Sequence, residues 1–264
     1  MDFLEAVVLA VVQGLTEWLP ISSEGVASLL MLNFFGKSLT EAIYISAWLH
    51  TGTLLAAIVY FWGDIKAILK NLPNYVRNPN ETEGYSGLTR FLLVSTITTV
   101  IIAAPIVFFM LESFNFSGGA AMGLIGLLLI ITGLLQKFVK RSAVISERPG
   151  FLDALIAGGV QAFAVFPGLS RSGLTTSALL LRKHDPEFAL KLSFLMSIPA
   201  VLIAEIGLIL THRIAFDVFS LTAIGVSFLL GLLTLSSLLR IAERVNFGYF
   251  CIFLGMLSLS AFFI

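Results

Sequence analysis

The stretch Pro167-Gly168-Leu169-Ser170-Arg171-Ser172-Gly173-Leu174-Thr175-Thr176 lies between two long apolar runs and contains an arginine. An arginine at bilayer depth costs at least ~3 kcal/mol unless it faces a polar cavity or meets an anion. Hydroxyl side chains flank this arginine, and the proline and glycines free backbone groups around it. A guanidinium, hydroxyls and the N–H groups that open the next helix together predict a phosphate-binding site.

The composition places the whole chain in a membrane. Of its 264 residues, 58% are hydrophobic and 12% are charged, with a mean hydropathy of +0.98. A soluble domain has about a quarter of its residues charged. The formal net charge is zero, so we expect no nucleic-acid partner. The single cysteine, Cys251, excludes an internal disulfide and is typical of a small buried residue.

The N-terminal apolar run, residues 3–19, is broken by the polar stretch 20–25 and continues to about residue 35. Neither piece reaches the ~20 residues that cross a bilayer. The pattern predicts a re-entrant hairpin, whose polar turn must be buried in protein or line a wet cavity. Three full spans follow. Between the first two lies a polar loop, residues 63–89, in which residues 65–72 form a short interfacial helix.

The same pattern then repeats at an offset of 148 residues. Seven of the 23 positions in 3–25 are identical to those in 151–173, and the matches include Gln13 with Gln161 and Ser22 with Ser170. A second hairpin, 151–182, and three further spans complete an all-α polytopic membrane protein with a single membrane domain. Each half, 1–140 or 148–264, holds one hairpin and three spans. The six predicted spans are 43–62, 91–111, 120–138, 188–210, 218–239 and 247–264.

Because three is an odd number of crossings, the second half enters the membrane from the opposite side to the first. The two halves then form an inverted repeat. The positive-inside rule orients the chain. With loop 63–89 inside, thirteen basic residues are cytoplasmic: Lys66, Lys70, Arg77, Arg90, Lys137, Lys140, Arg141, Arg148, Arg182, Lys183, Lys191, Arg240 and Arg244. Lys37 and Arg213 then lie outside. Both termini and the opening of the first hairpin therefore face outward, and the two polar turns meet within the membrane.

The first turn supplies carboxylates to this meeting point. Gln13 and Glu17 are four residues apart and share a helix face. Glu17 at depth is nearly as costly as Arg171, so one site containing both is the economical solution. Gln13 and Glu17 could also ligate Mg²⁺ or Ca²⁺ through oxygen atoms. The alternative is a buried Glu17–Arg171 pair that only fastens the hairpins together.

Several polar residues have two interpretations. Ser23 is either a nucleophile or, like Ser22, Ser170 and Ser172, a helix cap or substrate ligand. Glu24 is either a site group or a solvated residue at the cavity mouth. His50, in an apolar helix, is more often a packing residue, and acid–base catalysis is the alternative. Glu205 either borders the cavity or, as we expect, snorkels towards the outer surface. We expect His184 and Asp185 to form a turn.

These residues carry a resemblance to a known family. Gln13-Gly14-Leu15-Thr16-Glu17-Trp18-Leu19-Pro20-Ile21-Ser22-Ser23 and the stretch 167–175 resemble the two signatures of the undecaprenyl-diphosphate phosphatases, the bacitracin-resistance type. The resemblance covers nearly the whole chain. It implies hydrolysis of a polyprenyl diphosphate lipid at the outer face of the cell membrane, with a divalent cation. It places Gln13 and Glu17 in an acidic motif, Ser23 as nucleophile or phosphate ligand, and Arg171, Ser170 and Thr175 on phosphate.

One position departs from the family pattern. The family has a histidine three residues after the second serine of the pair, where this chain has Val26. Its role as base or proton donor passes to Glu24, Glu17, His50 or a metal-bound water. The departure also suggests a different lipid, such as a dolichyl-type carrier.

Two further questions stay open in the sequence. Inverted repeats also serve alternating access, so a transporter or flippase of polyprenyl phosphate or another anion is the competing function. The glycines of residues 118–133 permit close helix packing, either within the fold or between the subunits of a homodimer.

Overall fold

The computed structural model describes residues 2–79, 81, 83–113, 118–139, 146, 148–210, 217–241 and 247–262. These form eleven α-helices: α1 Phe3–Thr16, α2 Ser23–Phe34, α3 Leu39–Tyr60, α4 Trp62–Arg77, α5 Gly84–Ser113, α6 Gly118–Phe138, α7 Phe151–Ala162, α8 Arg171–Leu181, α9 Pro186–Leu210, α10 Val218–Ile241 and α11 Gly248–Phe262. A 3₁₀ turn, Phe163–Val165, follows α7. The all-α prediction is confirmed for this part of the chain.

Five helices are long and apolar enough to cross a membrane, namely α3, α5, α6, α9 and α10. They make the chain a polytopic membrane protein. Their positions agree with five of the predicted spans, although α5 begins seven residues earlier than expected. The helix α11 has 15 described residues, so the sixth span stays a prediction. Of the charges used for orientation, Lys140, Arg141, Arg213 and Arg244 lie outside the described residues.

Four short helices form the two predicted hairpins. The helix α1 turns back into α2, and α7 turns back into α8. Each has 14 residues or fewer, which is too short to cross ~30 Å of hydrocarbon. The sequence offset reappears in the structure, because α1 and α7 begin at Phe3 and Phe151 and α2 and α8 begin at Ser23 and Arg171.

Each hairpin packs against the other half of the chain. The helix α1 packs on α10, and its counterpart α7 packs on α5. The helices α6 and α11 pack together most closely. A Cβ on Gly126 would lie 2.7 Å from the Gly255 carbonyl oxygen, and one on Gly255 would lie 2.5 Å from the Gly126 carbonyl oxygen. These glycines therefore serve packing within the fold, and they provide no support for a homodimer.

The helix α4 is longer than the predicted segment 65–72. It follows the span α3 almost directly, and no residue in it is fully buried. Leu69, Leu72 and Val76 are exposed along one side of α4. Polar contacts hold its opposite side, where Asp64 pairs with Lys191 of α9 at 2.8 Å. This arrangement is typical of an amphipathic helix that lies at a membrane surface.

An ionic network closes the open end of the second hairpin. Asp153 in the first turn of α7 pairs with Arg182 at 2.6 Å and with His184 Nε2 at 3.1 Å. His184 is 4% exposed, so its expected role as a simple turn residue is wrong. Asp185 does take that role, because its carboxylate accepts a hydrogen bond from the Phe188 amide at the start of α9.

Candidate active site

The turns of the two hairpins meet through their backbones. Ser22 Oγ accepts hydrogen bonds from the amides of Gly25, at 3.2 Å, and Gly168, at 3.1 Å. A Cβ on Gly25 would lie 2.9 Å from the backbone of Gly168, so only glycine permits this approach. Gly168 also has a φ of +107°, a conformation that favours glycine.

Glu17, the residue that ends α1, is the centre of the polar cluster between the turns. Its Oε2 accepts hydrogen bonds from Gln13 Nε2 at 2.8 Å and from Ser23 Oγ at 2.7 Å. The same oxygen lies 3.1 Å from His50 Nε2. Its Oε1 pairs with the guanidinium of Arg171. The structure thus brings Glu17 and Arg171 into one site, as the sequence predicts.

Arg171 stands at the start of α8, where the helix presents its free N–H groups. Its side chain is 15% exposed. Only one of its terminal nitrogens reaches Glu17. In the described part of the chain, the other, Nη1, is buried without a hydrogen-bond partner. A buried, unsatisfied guanidinium nitrogen at a helix N-terminus is suited to binding an anion.

A small cavity of about 40 Å³ lies in front of these groups. It has room for a few water molecules but is far smaller than a typical ligand pocket of about 300 Å³ or more. A diphosphate can therefore enter only if side chains move. The lining residues are Glu17, Ser22, Ser23, Glu24, His50, Ala164, Leu169, Ser170, Arg171 and Ser172.

The four serines have separate tasks. Ser22 and Ser170 are the N-caps of α2 and α8, in matching positions of the two hairpins. Ser172 Oγ donates to the Leu19 carbonyl at 3.2 Å and so joins the second turn to the first. Ser23 is the one whose hydroxyl hydrogen points at a carboxylate, which is the arrangement of a nucleophile beside its base.

His50 belongs to the site, so its interpretation as a packing residue is wrong. Its Nδ1 lies 2.6 Å from the Ser46 carbonyl, which can only accept a hydrogen bond. Its Nε2 faces the Glu17 carboxylate, which also accepts. Both ring nitrogens thus face acceptor groups, an environment that suits an imidazolium beside Glu17.

The remaining predicted residues lie at different distances from the cavity. Glu24 lines it. Thr175 does not, because its hydroxyl lies 2.6 Å from Ser193 Oγ between α8 and α9. Glu205 is 5% exposed, so its expected snorkelling is wrong. Because α9 packs against α3, this carboxylate is held inside the protein.

Two residues of α6 that the sequence did not single out hold the turns. Thr132 Oγ1 donates to the Gly168 carbonyl at 3.0 Å and accepts from the Ser170 amide at 3.2 Å. Gln136 Nε2 donates to the Pro20 carbonyl. The only signal in the sequence is a pair of polar residues, four apart, in an otherwise apolar span.

The site offers a divalent cation oxygen ligands from two side chains, Gln13 and Glu17. Gln13 Oε1 is buried and, among the residues described, lacks a hydrogen-bond partner, and it belongs to the side chain that contacts Glu17. Within the described ranges, no three His, Cys, Asp or Glu side chains form a metal cluster. Mg²⁺ commonly uses one or two protein oxygens and completes its shell with substrate phosphates and water. Gln13 and Glu17 suit that arrangement.

A larger cavity of about 270 Å³ lies elsewhere, between α4, α5 and α9. Its two cations are already paired, Lys191 with Asp64 and Arg148 with Glu83. Leu88, Phe188 and Leu192 provide much of its wall. It lacks the unsatisfied donor that distinguishes the cavity at Arg171.

Comparison with known proteins identifies the family of the chain. A family model described as bacitracin resistance protein BacA matches residues 6–259. A protein of Methanococcoides burtonii named undecaprenyl-diphosphatase is 51% identical over 264 residues and covers 100% of both chains. Proteins of the same name from Methanothrix thermoacetophila and Syntrophotalea carbinolica are 38% and 33% identical, and each covers 98% of this chain and 97% of its own. The chain therefore belongs to the bacitracin resistance protein BacA family.

Proposed function

We propose that the protein hydrolyses undecaprenyl diphosphate, or a related polyprenyl diphosphate, to the monophosphate and inorganic phosphate. This reaction recycles the lipid carrier for the synthesis of cell-envelope glycans. The observation that carries the proposal is the buried, unsatisfied Arg171 Nη1 opposite a serine that donates to Glu17. The relatives are named as diphosphatases, so the transporter alternative is not favoured.

Binding begins with an exchange of partners at Arg171. The terminal phosphate of the lipid enters between the N-terminus of α8 and the guanidinium. Arg171 turns from Glu17 towards the phosphate and uses both terminal nitrogens, which suits its planar fork. Ser22, Ser170 and Ser172 line the cavity. Ser22 and Ser170 donate hydroxyl hydrogens to the phosphate oxygens, while Ser172 keeps its contact with the Leu19 carbonyl. Once Glu17 no longer pairs with Arg171, it becomes a stronger base for the Ser23 proton.

The chemical step then uses Ser23, Glu17 and His50. Ser23 Oγ bonds to the terminal phosphorus, its proton passes to Glu17, and the bond from phosphorus to the bridging oxygen breaks. His50 donates a proton to that oxygen as polyprenyl monophosphate leaves, and regains one from Glu17. Water then attacks the phosphoserine with Glu17 as base, which releases phosphate and restores Ser23. Alternatively, water attacks directly and Ser23 only orients the phosphate.

A divalent cation would be held by Gln13 and Glu17 together with the phosphates of the substrate. When bound, such an ion supplies charge neutralisation for the transferring phosphoryl group. Glu24 lines the cavity, where it provides a second carboxylate for proton exchange with water.

We further propose that the chain crosses the membrane six times as two inverted repeats. Matching helix starts in the two hairpins, and the packing of α1 on α10 and of α7 on α5, support inverted repeats with six spans in total. The positive-inside pattern supports an outward-facing site with both termini outside. Cysteines introduced at Lys37 and at Lys66 test the orientation. An impermeant thiol reagent applied to intact cells should label the first and spare the second, and the reverse result would overturn the orientation.

The decisive experiment measures phosphate release from C55 polyprenyl diphosphate and from a dolichyl diphosphate by the purified protein, with and without Mg²⁺ or Ca²⁺. The variants are Glu17→Ala and, as a matched control, Glu83→Ala, which removes an exposed carboxylate from an ion pair. Release that depends on Glu17 and not on Glu83 supports the proposal. No release from either lipid under any ionic condition would reject it.

A further inference from the structure

The two turns that form the site are both held by a single face of α6. Thr132 and Gln136 are four residues apart, so their side chains leave the same side of the helix. Thr132 contacts the second turn through the Gly168 carbonyl and the Ser170 amide. Gln136 contacts the first turn through the Pro20 carbonyl. Neither residue lines the cavity.

The contacted groups adjoin the reactive side chains in the sequence. Ser170 directly precedes Arg171, and Pro20 lies three residues from both Glu17 and Ser23. Broken helices leave carbonyl and amide groups that need partners at membrane depth. The distance along α6 between Thr132 and Gln136 therefore fixes where one turn stands relative to the other. The close packing of α6 on α11 through Gly126 and Gly255 keeps α6 itself in place.

We infer that Thr132 and Gln136 are positioning residues that set the register between Arg171 and the Glu17–Ser23 pair. The inference rests on the proposed function, since it assumes that these groups act on one phosphate. The role differs from stabilisation alone, because it predicts a loss in the chemical step beyond any loss of folded protein. A misplacement of about 1 Å in a reacting group can lower a rate by about 10²-fold.

The test compares Thr132→Val with a matched variant, Thr99→Val. Thr99 Oγ1 also donates to a backbone carbonyl, that of Gly158, at 3.0 Å, and accepts from Gln161 Nε2 at 3.0 Å. It joins α5 to α7 away from the cavity. Both variants should lower the Tm to a similar extent. Only Thr132→Val should lower kcat, by about 10²-fold, and Thr132→Ser should keep kcat near that of the wild type.

The variants of Gln136 supply a second readout. Gln136→Leu removes the donor to Pro20 and should lower kcat. Gln136→Glu keeps the size of the side chain and donates only while its carboxyl is protonated, so the ratio of its kcat to that of the wild type should fall as the pH rises. Equal losses of kcat in Thr132→Val and Thr99→Val, or an unchanged kcat in Thr132→Val, would overturn the inference.

Failure of the proposed function can be distinguished from failure of the positioning role. If the wild type released no phosphate, the positioning role would be judged by the rise in Tm on adding inorganic diphosphate. Thr132→Val should then lose the rise that Thr99→Val retains. A rise equal in the two variants would overturn the inference by itself.

Discussion

Ser22 Oγ accepts a hydrogen bond from the Gly168 amide at 3.1 Å, across 146 positions of the chain. The same oxygen caps α2 through the Gly25 amide. One hydroxyl group thus caps the N-terminus of α2 and joins the two halves of the chain beside the site. The geometry of Glu17, Ser23 and Arg171 depends on this junction.

The activity should depend on the shape of the Arg171 side chain as well as on its charge. Arg171→Ala should lower kcat by about 10²–10³-fold, the usual cost of removing a group that stabilises transition-state charge. Arg171→Lys keeps the charge but loses the planar fork, and we expect it to recover only part of that loss. Phosphate release measures both. Arg182→Lys, which alters an arginine paired with Asp153, is the control, and a similar loss there would contradict a specific role for Arg171.

Ser23 should be essential, whereas another serine of the same helix should not. Ser23→Ala should lower kcat by about 10³-fold or more if the hydroxyl is the nucleophile. Ser28→Ala removes a hydroxyl that is also buried in α2 and should leave kcat near that of the wild type. Acid quenching during turnover with ³²P-labelled lipid should trap phosphoserine at Ser23. If Ser23→Ala were inactive and no label were trapped, direct attack by water would be the mechanism.

His50 should supply the proton that the resemblance to the family would assign to a histidine at the position of Val26. His50→Gln keeps a hydrogen-bonding side chain but cannot act as the acid, and should lower kcat by about 10²-fold. Adding Val26→His to that variant should restore part of the activity. His184→Gln, which alters a histidine paired with Asp153, is the control. An unchanged kcat in His50→Gln would show that another group provides the proton.

The contact between α6 and α11 should tolerate no side chain. Gly126→Ala places a Cβ about 2.7 Å from a backbone oxygen, and overpacking of this kind costs about 1–3 kcal/mol. We expect a lower Tm in detergent. Gly225→Ala in α10 is the matched control, since a Cβ there meets nothing within 4 Å, and alanine is the better helix former. A Tm in Gly126→Ala equal to that of the wild type would mean that α11 can move away from α6.

Residues whose chemistry is costly at membrane depth can be predicted from the sequence. Arg171 and Glu17 each need a partner or a cavity, and the offset of 148 residues locates both turns from the sequence alone. Thr132, Gln136 and His50 cannot be assigned in this way. Each is a polar residue in an apolar helix, and its task depends on which turn lies beside it. The predictions for Glu205 and His184 are wrong for the same reason, because helix neighbours, not local patterns, determine which side chains are buried.

The pairing of Glu17 with Arg171 has a consequence for turnover. In the resting site, an internal carboxylate occupies the guanidinium that an incoming phosphate needs. An anion that uses both terminal nitrogens must displace that carboxylate, so we expect a diphosphate, with more charge and more oxygens, to compete better than a singly charged anion. After cleavage, Glu17 can reclaim Arg171 and help to expel the cleaved phosphate. We expect this internal carboxylate to favour the diphosphate over weaker anions and to help release the product.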